Sequence, residues 1–535
     1  MDINQLRDIA QRERQSRPGT VVRCCVAAGC LSSGSGEVVE RLKKTVESER
    51  LGDRVRIAPV GCMRLCSQGP LVQVDPTDKC HVRVRPDQAE ALLGVEVAES
   101  KPHSLARDDP FFAKQASVIL ENCGHVEPER IETYLAANGY EALHRTVLEL
   151  QPADVIDLVA RSGLRGRGGA GYPTGVKWGL VAKSPGPQRY VVCNADEGDP
   201  GAFMNRSVLE SDPHSVIEGM AIAGYAVGAN HGYIYVRAEY TLAIARLQQA
   251  IHQASHLNLL GSGIFSSAFD FKLEVRVGGG AFVCGEETAL MASIMGGRGI
   301  PTPRPPYPAE HGLWGCPTLL NNVETFANIP KIVRNGPEWF AAIGTPTNPG
   351  TKVFCLTGQI ANAGLVEVPL GTPLRTIVED IGGGAPHGKK VKAVQTGGPS
   401  GGCIPAQLLD TPVDYDSLAK IGSIMGSGGM IVLDESTDMV DIARFFMQFC
   451  RDESCGKCVP CRAGTVQMHG LLTKILDGKA HQDDLARLER LCDMVGQTSL
   501  CGLGQTAPNP TMSTLRHFRS EFEERLIDPP AVGEM

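Results

Sequence analysis

Three cysteines at three-residue intervals, Cys455, Cys458 and Cys461 in ESCGKCVPCRAG, constrain this 535-residue chain more than any other feature. Thiolates so spaced can converge from one loop on a single metal centre, and Cys501 in SLCGLG supplies a distant fourth. The chain between them must fold back on itself. Gly456 and Gly502 permit tight turns and leave backbone N–H groups near the sulfurs. A triple plus a singleton fits a [4Fe–4S] cubane. A four-cysteine zinc site more often uses two C-x2-C pairs, and buried thiols without metal are the third reading. Cys450, in the apolar run ARFFMQFC, is expected to pack on a helix face.

The chain holds 18 cysteines, so the compartment matters. Its start, MDINQLRDIAQRERQSR, lacks the apolar core of a signal peptide, and no apolar run reaches the roughly 18–20 residues of a membrane helix. The expectation is a cytoplasmic protein without direct membrane insertion, associated with membranes only through partners. A reducing compartment disfavours a disulfide framework and favours metal ligation. A net charge of −8 with no Lys/Arg stripe argues against nucleic acid.

A second quartet stands near the start. Cys25 and Cys30 form C-x4-C in CCVAAGC, and Cys62 and Cys66 form C-x3-C in GCMRLC. Each pair follows a predicted strand, so two adjacent loops could grip a [2Fe–2S] cluster. Consecutive strand residues face opposite ways, so only one of Cys24 and Cys25 reaches it, and Cys25 is the choice. A zinc site or a redox dithiol is the alternative. Cys80 has no partner and is read as structural.

The organisation expected is α/β and multidomain. Residues 1–104 mix short apolar runs with a helical stretch, Glu37 to Glu49, and 98–109 read as a linker. Residues 105–345 alternate apolar strands with helical patterns, as in YVVCNADEG and GYIYVRAEYTLAIARLQQAIHQA. Residues 346–436 are β-rich, with GGGAPHG and GGPSGG clusters, and 437–535 are helical.

The loop SGLRGRGGAGYPTGVKW holds Gly166, Arg167, Gly168 and Gly169, followed by Lys177. Glycines let backbone amides approach a phosphate, and the lysine adds a point charge. The spacing matches neither the P-loop nor the dinucleotide fingerprint, so a plain surface loop is the rival reading. CNADEGDPGAF carries Asn194, Asp196 and Glu197, and GGGAFVCGEETAL carries Gly285, Glu286 and Glu287. Carboxylates suit ribose and ribityl hydroxyls and repel a 2′-phosphate, favouring NAD over NADP. Helix capping by the same acids is the alternative. Asn321 and Asn322 in LLNNVETFAN offer amides to a phosphate or a flavin edge.

SGLRGRGGAGYPTGVKW, CNADEG, GEETAL, NNVET and ESCGKCVPCRAG together resemble the FMN/NADH-binding subunit of respiratory complex I and its soluble relatives over roughly residues 105–520. The N-terminal quartet is similar to a thioredoxin-like [2Fe–2S] module. The fused form resembles the flavin (diaphorase) subunits of NAD-linked bidirectional [NiFe] hydrogenases of the cyanobacterial type. That resemblance implies a thioredoxin-like domain, a Rossmann-like FMN domain, a ubiquitin-like β-grasp domain and a helical bundle with the cubane. It implies FMN contacts at Gly166, Arg167, Gly168, Lys177, Asn194, Asp196, Gly285, Glu286, Asn321 and Asn322. Glu197, Glu287, Tyr172, Phe282 and Tyr307 match positions near the nicotinamide nucleotide. Asp199, Phe282, Met295 and Arg304 depart from the residues common at those places.

The implied reaction passes a hydride between NAD(H) and FMN, with no side-chain acid or base and Glu197 and Glu287 in support. Single electrons then reach partner subunits that carry iron–sulfur clusters and a [NiFe] hydrogenase module. The same module on formate dehydrogenase or complex I is the second reading. A non-catalytic iron–sulfur scaffold is the reading of another class.

Overall fold

The parallel pairing of Thr20–Cys25 with Val55–Val60 needs a crossover, and the amphipathic stretch between them supplies one as the helix Ser35–Ser48, which buries Val38, Val39 and Leu42. The computed structural model describes residues 1–77, 79–95 and 101–527. The first sheet runs, edge to edge, Val55–Val60, Thr20–Cys25, Val72–Asp75, Lys79–His81, Ser104–Ala106. The expected linker over 98–109 lies partly outside the described residues. Its later part is a strand instead, because Leu105 packs on the core beside Cys80 and its neighbours pair with Lys79–His81. Three residues with one apolar member are too short for a pattern to reveal. The polar start is also structured. Asp2 and Gln5 box the helix Ile3–Gln15, which buries Leu6 and Ala10, and Glu13 takes Arg56 and Arg130 at 2.7 and 2.8 Å.

The Val/Ile/Tyr-rich runs after residue 190 form a four-stranded sheet ordered Lys272–Gly278, His231–Arg237, Tyr190–Ala195, Thr318–Asn322. All its pairs are parallel. The helices Pro213–Val227 and Val323–Asn335 cover it and are almost wholly buried. The chain steps outward from Tyr190–Ala195 to Lys272–Gly278, then returns to the other side of its first strand. Such a reversal opens a crevice at the carboxyl ends of the two diverging strands, here at Asn194 and Asn322.

A mixed sheet follows, ordered Gly364–Pro369, Thr351–Gly358, Gly429–Asp434, Val391–Thr396, Cys403–Pro405. The helices Met439–Asp452, Val459–Leu476, Gln482–Thr498 and Asn509–His517 complete the described chain with an apolar core of their own. One larger core is continuous through the three units before them. No helix among the described residues is long and apolar enough to cross a membrane.

Candidate functional site

The glycine loop folds over the crevice. The Gly166 N–H donates to the Tyr172 carbonyl at 2.8 Å, closing the loop into a ring. Gly169 and Gly171 hold φ of 123° and 63°, which side chains rarely adopt, and a Cβ on Gly168 would lie 3.3 Å from Asn322 Cβ. Arg167 is fully buried. Its guanidinium donates to the carbonyls of Arg165, Pro349 and Thr351 at 2.9, 2.7 and 3.0 Å. That side chain pins the loop to the mixed sheet, and the Arg167 N–H is taken by Thr325 Oγ1 at 2.9 Å, which leaves the backbone at Gly168 and Gly169 for a ligand. The Tyr415 hydroxyl adds a second tie, to the Gly166 carbonyl at 2.8 Å.

Lys177, on the helix Thr174–Lys183, reaches Glu287 at 2.7 Å and the Leu320 carbonyl at 3.1 Å. Arg304 meets the other oxygen of Glu287 at 3.4 Å. Asn321 accepts from Trp178 Nε1 at 3.0 Å, and Asn322 caps the helix Val323–Asn335 through the Glu324 N–H at 2.9 Å. Tyr172 and Tyr307 are 46% and 53% exposed, so both faces remain open to a stacked base.

The acidic residues divide by use. Glu197 accepts the Asn205 and Arg206 N–H groups at 2.9 and 3.0 Å and the Tyr240 hydroxyl at 3.2 Å. Both its oxygens start the helix Met204–Ser211, and burial pushes its carboxyl up to about 7. Glu286 caps Glu287–Ile294 through the Thr288 and Ala289 N–H groups at 2.9 and 3.0 Å. Capping is therefore what these two carboxylates do in this structure.

Asp196 is different. Its Oδ1 meets Arg237 at 3.2 Å, while its Oδ2 is buried without a partner. Burial pushes its carboxyl up to about 7 against the pull of Arg237. Asn194 orders the same corner, donating to the Gly285 carbonyl at 2.8 Å and accepting the Asp196 N–H at 3.0 Å. A Cβ on Gly285 would stand 3.8 Å from the orphaned oxygen. A buried acceptor facing a side-chain-free cradle fits a ligand hydroxyl or ring edge.

Cys455, Cys458, Cys461 and Cys501 line one small cavity with Val283, Pro301 and Leu503. Cys458 and Cys501 each precede a helix, Val459–Leu476 and Gly502–Thr506, whose N-termini suit thiolate charge. Ser454 Oγ lies 3.3 Å from Cys461 Sγ, and burial pushes the Cys461 thiol up to about 11. Val283 at this cavity and Gly285 at the crevice share one short turn, Phe282–Gly285. The Phe282 N–H donates to Glu453 at 2.9 Å, and its ring meets Phe449 edge-on at 5.2 Å, so the turn is fastened to the helical bundle.

The first quartet gathers too. Cys25, Cys30, Cys62 and Cys66 line a cavity of about 250 Å³ with Phe203, Arg206 and Glu210. Cys62 and Cys66 sulfurs are 3.9 Å apart, and Cys25 and Cys30 are both buried beside them. Cys24 points into the opposite core beside Val22 and Leu42. The helix Met204–Ser211 holds both loops, Glu210 accepting the Ala28 N–H at 2.9 Å and Ser211 Oγ the Cys62 N–H at 2.8 Å. Among the described residues, no three His, Cys, Asp or Glu side chains already stand as a closed shell for a single metal ion.

Residues 159–331 match the Nuo51 FMN-binding domain, and residues 441–525 match the iron–sulfur binding region of NADH-ubiquinone oxidoreductase F. The chain is 56% identical to the NADP-reducing hydrogenase subunit HndC of Solidesulfovibrio fructosivorans over 415 residues, 78% of this chain and 84% of that one. The chain belongs to the Nuo51 family. It is an oxidoreductase chain with an FMN-binding domain and a [4Fe–4S] region. It is also 45% identical to the NADH-quinone oxidoreductase F 2 subunit of Rhizobium meliloti, over 76% of this chain and 96% of that one. A crystal structure of an NAD⁺-reducing [NiFe]-hydrogenase in the H2-reduced state matches with a TM-score of 0.70 at 29% identity, covering 98% of this chain and 88% of that one.

Within this Nuo51 member, Arg237, Glu453, Ser454 and Glu210 went unnoticed in the sequence. Arg237 ends a strand at the crevice, which strand-end position alone could have flagged. Glu453 and Glu210 act across more than one unit of the fold, where no local spacing marks them, while Ser454 lies beside the cysteine run it serves.

Proposed function

We propose that this chain is the NAD(H)-binding diaphorase subunit of a soluble bidirectional hydrogenase. It moves hydride between NAD(H) and FMN and single electrons through iron–sulfur clusters to partner subunits. One observation carries the reading: the crevice and the Cys455, Cys458, Cys461 and Cys501 cavity are joined by the turn Phe282–Gly285. Bound FMN supplies hydride uptake and release one electron at a time, chemistry that no side chain here offers.

The chain's own residues bind and position. Lys177 would turn from Glu287 to the flavin phosphate, with the amides of Gly168 and Gly169 beside it. Asp196 Oδ2, Asn194, Asn321 and Asn322 face the flavin, and Gly285 leaves room for it. Tyr172 and Tyr307 stack on the nucleotide, with Phe282 behind the turn. Glu287, with Arg304 as its remaining partner, accepts ribose hydroxyls and disfavours a 2′-phosphate. Glu197 acts through the loop it anchors. Placing two rings in contact supplies most of the rate.

Cys25, Cys30, Cys62 and Cys66 hold a [2Fe–2S] cluster in this proposal, a side store offset from the main path. Support comes from their common cavity, lined by all four cysteines. The partners are diaphorase subunits with iron–sulfur clusters and a [NiFe] module, in the cytoplasm, with any membrane contact made by those partners. Adding hydrogen or formate to the native complex and following NADH tests the assignment. Hydrogen-dependent NAD⁺ reduction with nickel in the complex is expected. Reduction by formate alone would move the chain to a formate dehydrogenase. A purified chain with no flavin absorbance and no NADH–dye reductase activity would leave a non-catalytic iron–sulfur scaffold.

A further inference from the structure

The segment between the crevice and the sulfurs is held at both ends, by different means. On the crevice side the Arg237 guanidinium donates to the Gly280 carbonyl and meets Asp196 at 3.2 Å, so this end follows the parallel sheet. On the other side Phe282 is held by the helical bundle. Its N–H donates to Glu453 at 2.9 Å and its ring meets Phe449 edge-on. A Cβ on Gly198 would stand 2.7 Å from that ring, so the acidic loop closes over it from behind. Val283 then lines the Cys455 cavity, and Gly285 faces Asp196. Two residues span at most about 7 Å of chain, so the two walls are that close through the backbone.

Glu453 is an unfavourable residue for its place. It closes the helix Met439–Asp452, at the end where the helix dipole disfavours an anion, and it stands two residues before Cys455. Its contact with the Phe282 N–H offsets that cost. Two further ties join the cysteine loop to the crevice unit. Arg298 donates to the Cys455 carbonyl at 3.3 Å, and Lys457 to the Pro301 carbonyl at 2.6 Å. Both lie beyond the helix Glu287–Ile294, whereas Glu453 grips the turn itself.

We propose that Glu453 is a positioning residue for electron transfer: it holds the Phe282–Gly285 turn against the cysteine loop and so fixes the gap between the flavin cradle and the Cys455 site. The proposal rests on the reading of the crevice as a flavin site and of these cysteines as a cluster. Glu453 acts through the Phe282 backbone, by accepting a hydrogen bond. Transfer across such a gap falls steeply with distance, and a misplacement of about 1 Å can cost about 100-fold in a reaction that depends on placement.

The test uses the full chain in two measurements. Hydrogen exchange of the cofactor-free chain follows the peptide that contains Phe282. Glu453→Ala should speed exchange there about ten-fold or more, and Glu453→Gln, which keeps an acceptor oxygen, should speed it less. In the loaded chain, rapid-freeze paramagnetic resonance follows reduction of the Cys455 cluster after mixing with NADH, counted per bound flavin. Glu453→Ala should slow it about ten-fold or more, and Glu453→Gln should restore most of the rate. Where Glu453→Ala does not fold, Glu453→Asp retracts the carboxylate by one methylene and carries the same two expectations at smaller size. Wild-type exchange or wild-type cluster reduction in these variants overturns the proposal. Equal slowing in Glu453→Ala and Glu453→Gln overturns it too, because charge and not the hydrogen bond would then be at work. Failure of the underlying reading shows differently, as a wild-type chain that takes up no flavin or iron, and the exchange result still decides whether Glu453 holds the turn.

Discussion

The two cysteine quartets offer the same thiol chemistry in two different positions. The Cys455 site is built on half-exposed loop residues and helix starts, and its wall includes Val283, two residues from Gly285 at the crevice. The Cys25 site lies in the loops of its own sheet and is tied to the crevice unit through Met204–Ser211. That helix has eight residues, about 12 Å at 1.5 Å per residue, with Glu197 at one end and Glu210 near the other. Sulfur count alone therefore does not set a site's role. What matters is whether its wall is shared with the crevice or reached through an intervening element.

The sharpest way to break this contrast is to remove one ligand from each site. Cys458→Ser should reduce partner-directed electron transfer to background while NADH–dye activity persists. Cys62→Ser should erase only the N-terminal paramagnetic signal and leave most transfer intact. Loss of transfer in Cys62→Ser, with transfer surviving in Cys458→Ser, would reverse the assignment of the two positions.

A second variant asks whether both sites draw on one source. Lys177→Ala removes the charge offered to the flavin phosphate, worth roughly 1.5–3 kcal/mol as a hydrogen bond to a charged group, so FMN affinity should fall about 10- to 100-fold. In flavin-depleted protein NADH should reduce neither centre. An N-terminal signal that still appears under NADH would show a separate entry point.

A smaller effect separates the two supports. Glu210→Gln keeps the shape but weakens the pairing with Arg206 at 2.8 Å and the acceptor for Ala28. The expected cost is about 1–2 kcal/mol, seen as a lower melting temperature and an altered N-terminal spectrum. The spectrum of the Cys455 site should not move. A change in that spectrum instead would mean that the helix communicates with both sites.

How far these regions were legible follows from how local their signals are. Cys455, Cys458 and Cys461 lie within seven residues, so their convergence is visible in the chain itself. Alternation of strand faces likewise separates Cys24 from Cys25, and the two enter different cores. The acidic loops were ambiguous because a carboxylate after a strand serves a ribose or a helix start equally well. Burial and partners, which are tertiary properties, assign Glu197 and Glu286 to helix starts. The resemblance implies an FMN contact at Arg167, yet its guanidinium's acceptors are carbonyls at residues 165, 349 and 351, two of them far along the chain. The strand Ser104–Ala106 was hidden for the opposite reason: three residues carry no period at all.

A last expected effect, confined to stability against pH, lies at Asp196, and its sign follows from proton binding. The carboxyl is pushed from 3.8 up to about 7, by burial first, so between those values the folded chain holds a proton that the unfolded chain has released. Stability from this group is therefore full below about pH 4 and is lost as pH rises toward 7, the reverse of a salt-bridged aspartate. Three units correspond to about 4 kcal/mol as an upper bound, and relaxation of the crevice reduces it. Melting temperatures of the cofactor-free chain at pH 5 and pH 8 should differ by a few degrees more in the wild type than in Asp196→Asn, which cannot titrate. Equal differences would mean that Arg237 keeps Asp196 ionised throughout. Asp196 would then meet the flavin as a carboxylate, and only the shared turn, not a protonated acid beside it, would distinguish the crevice branch from the N-terminal one.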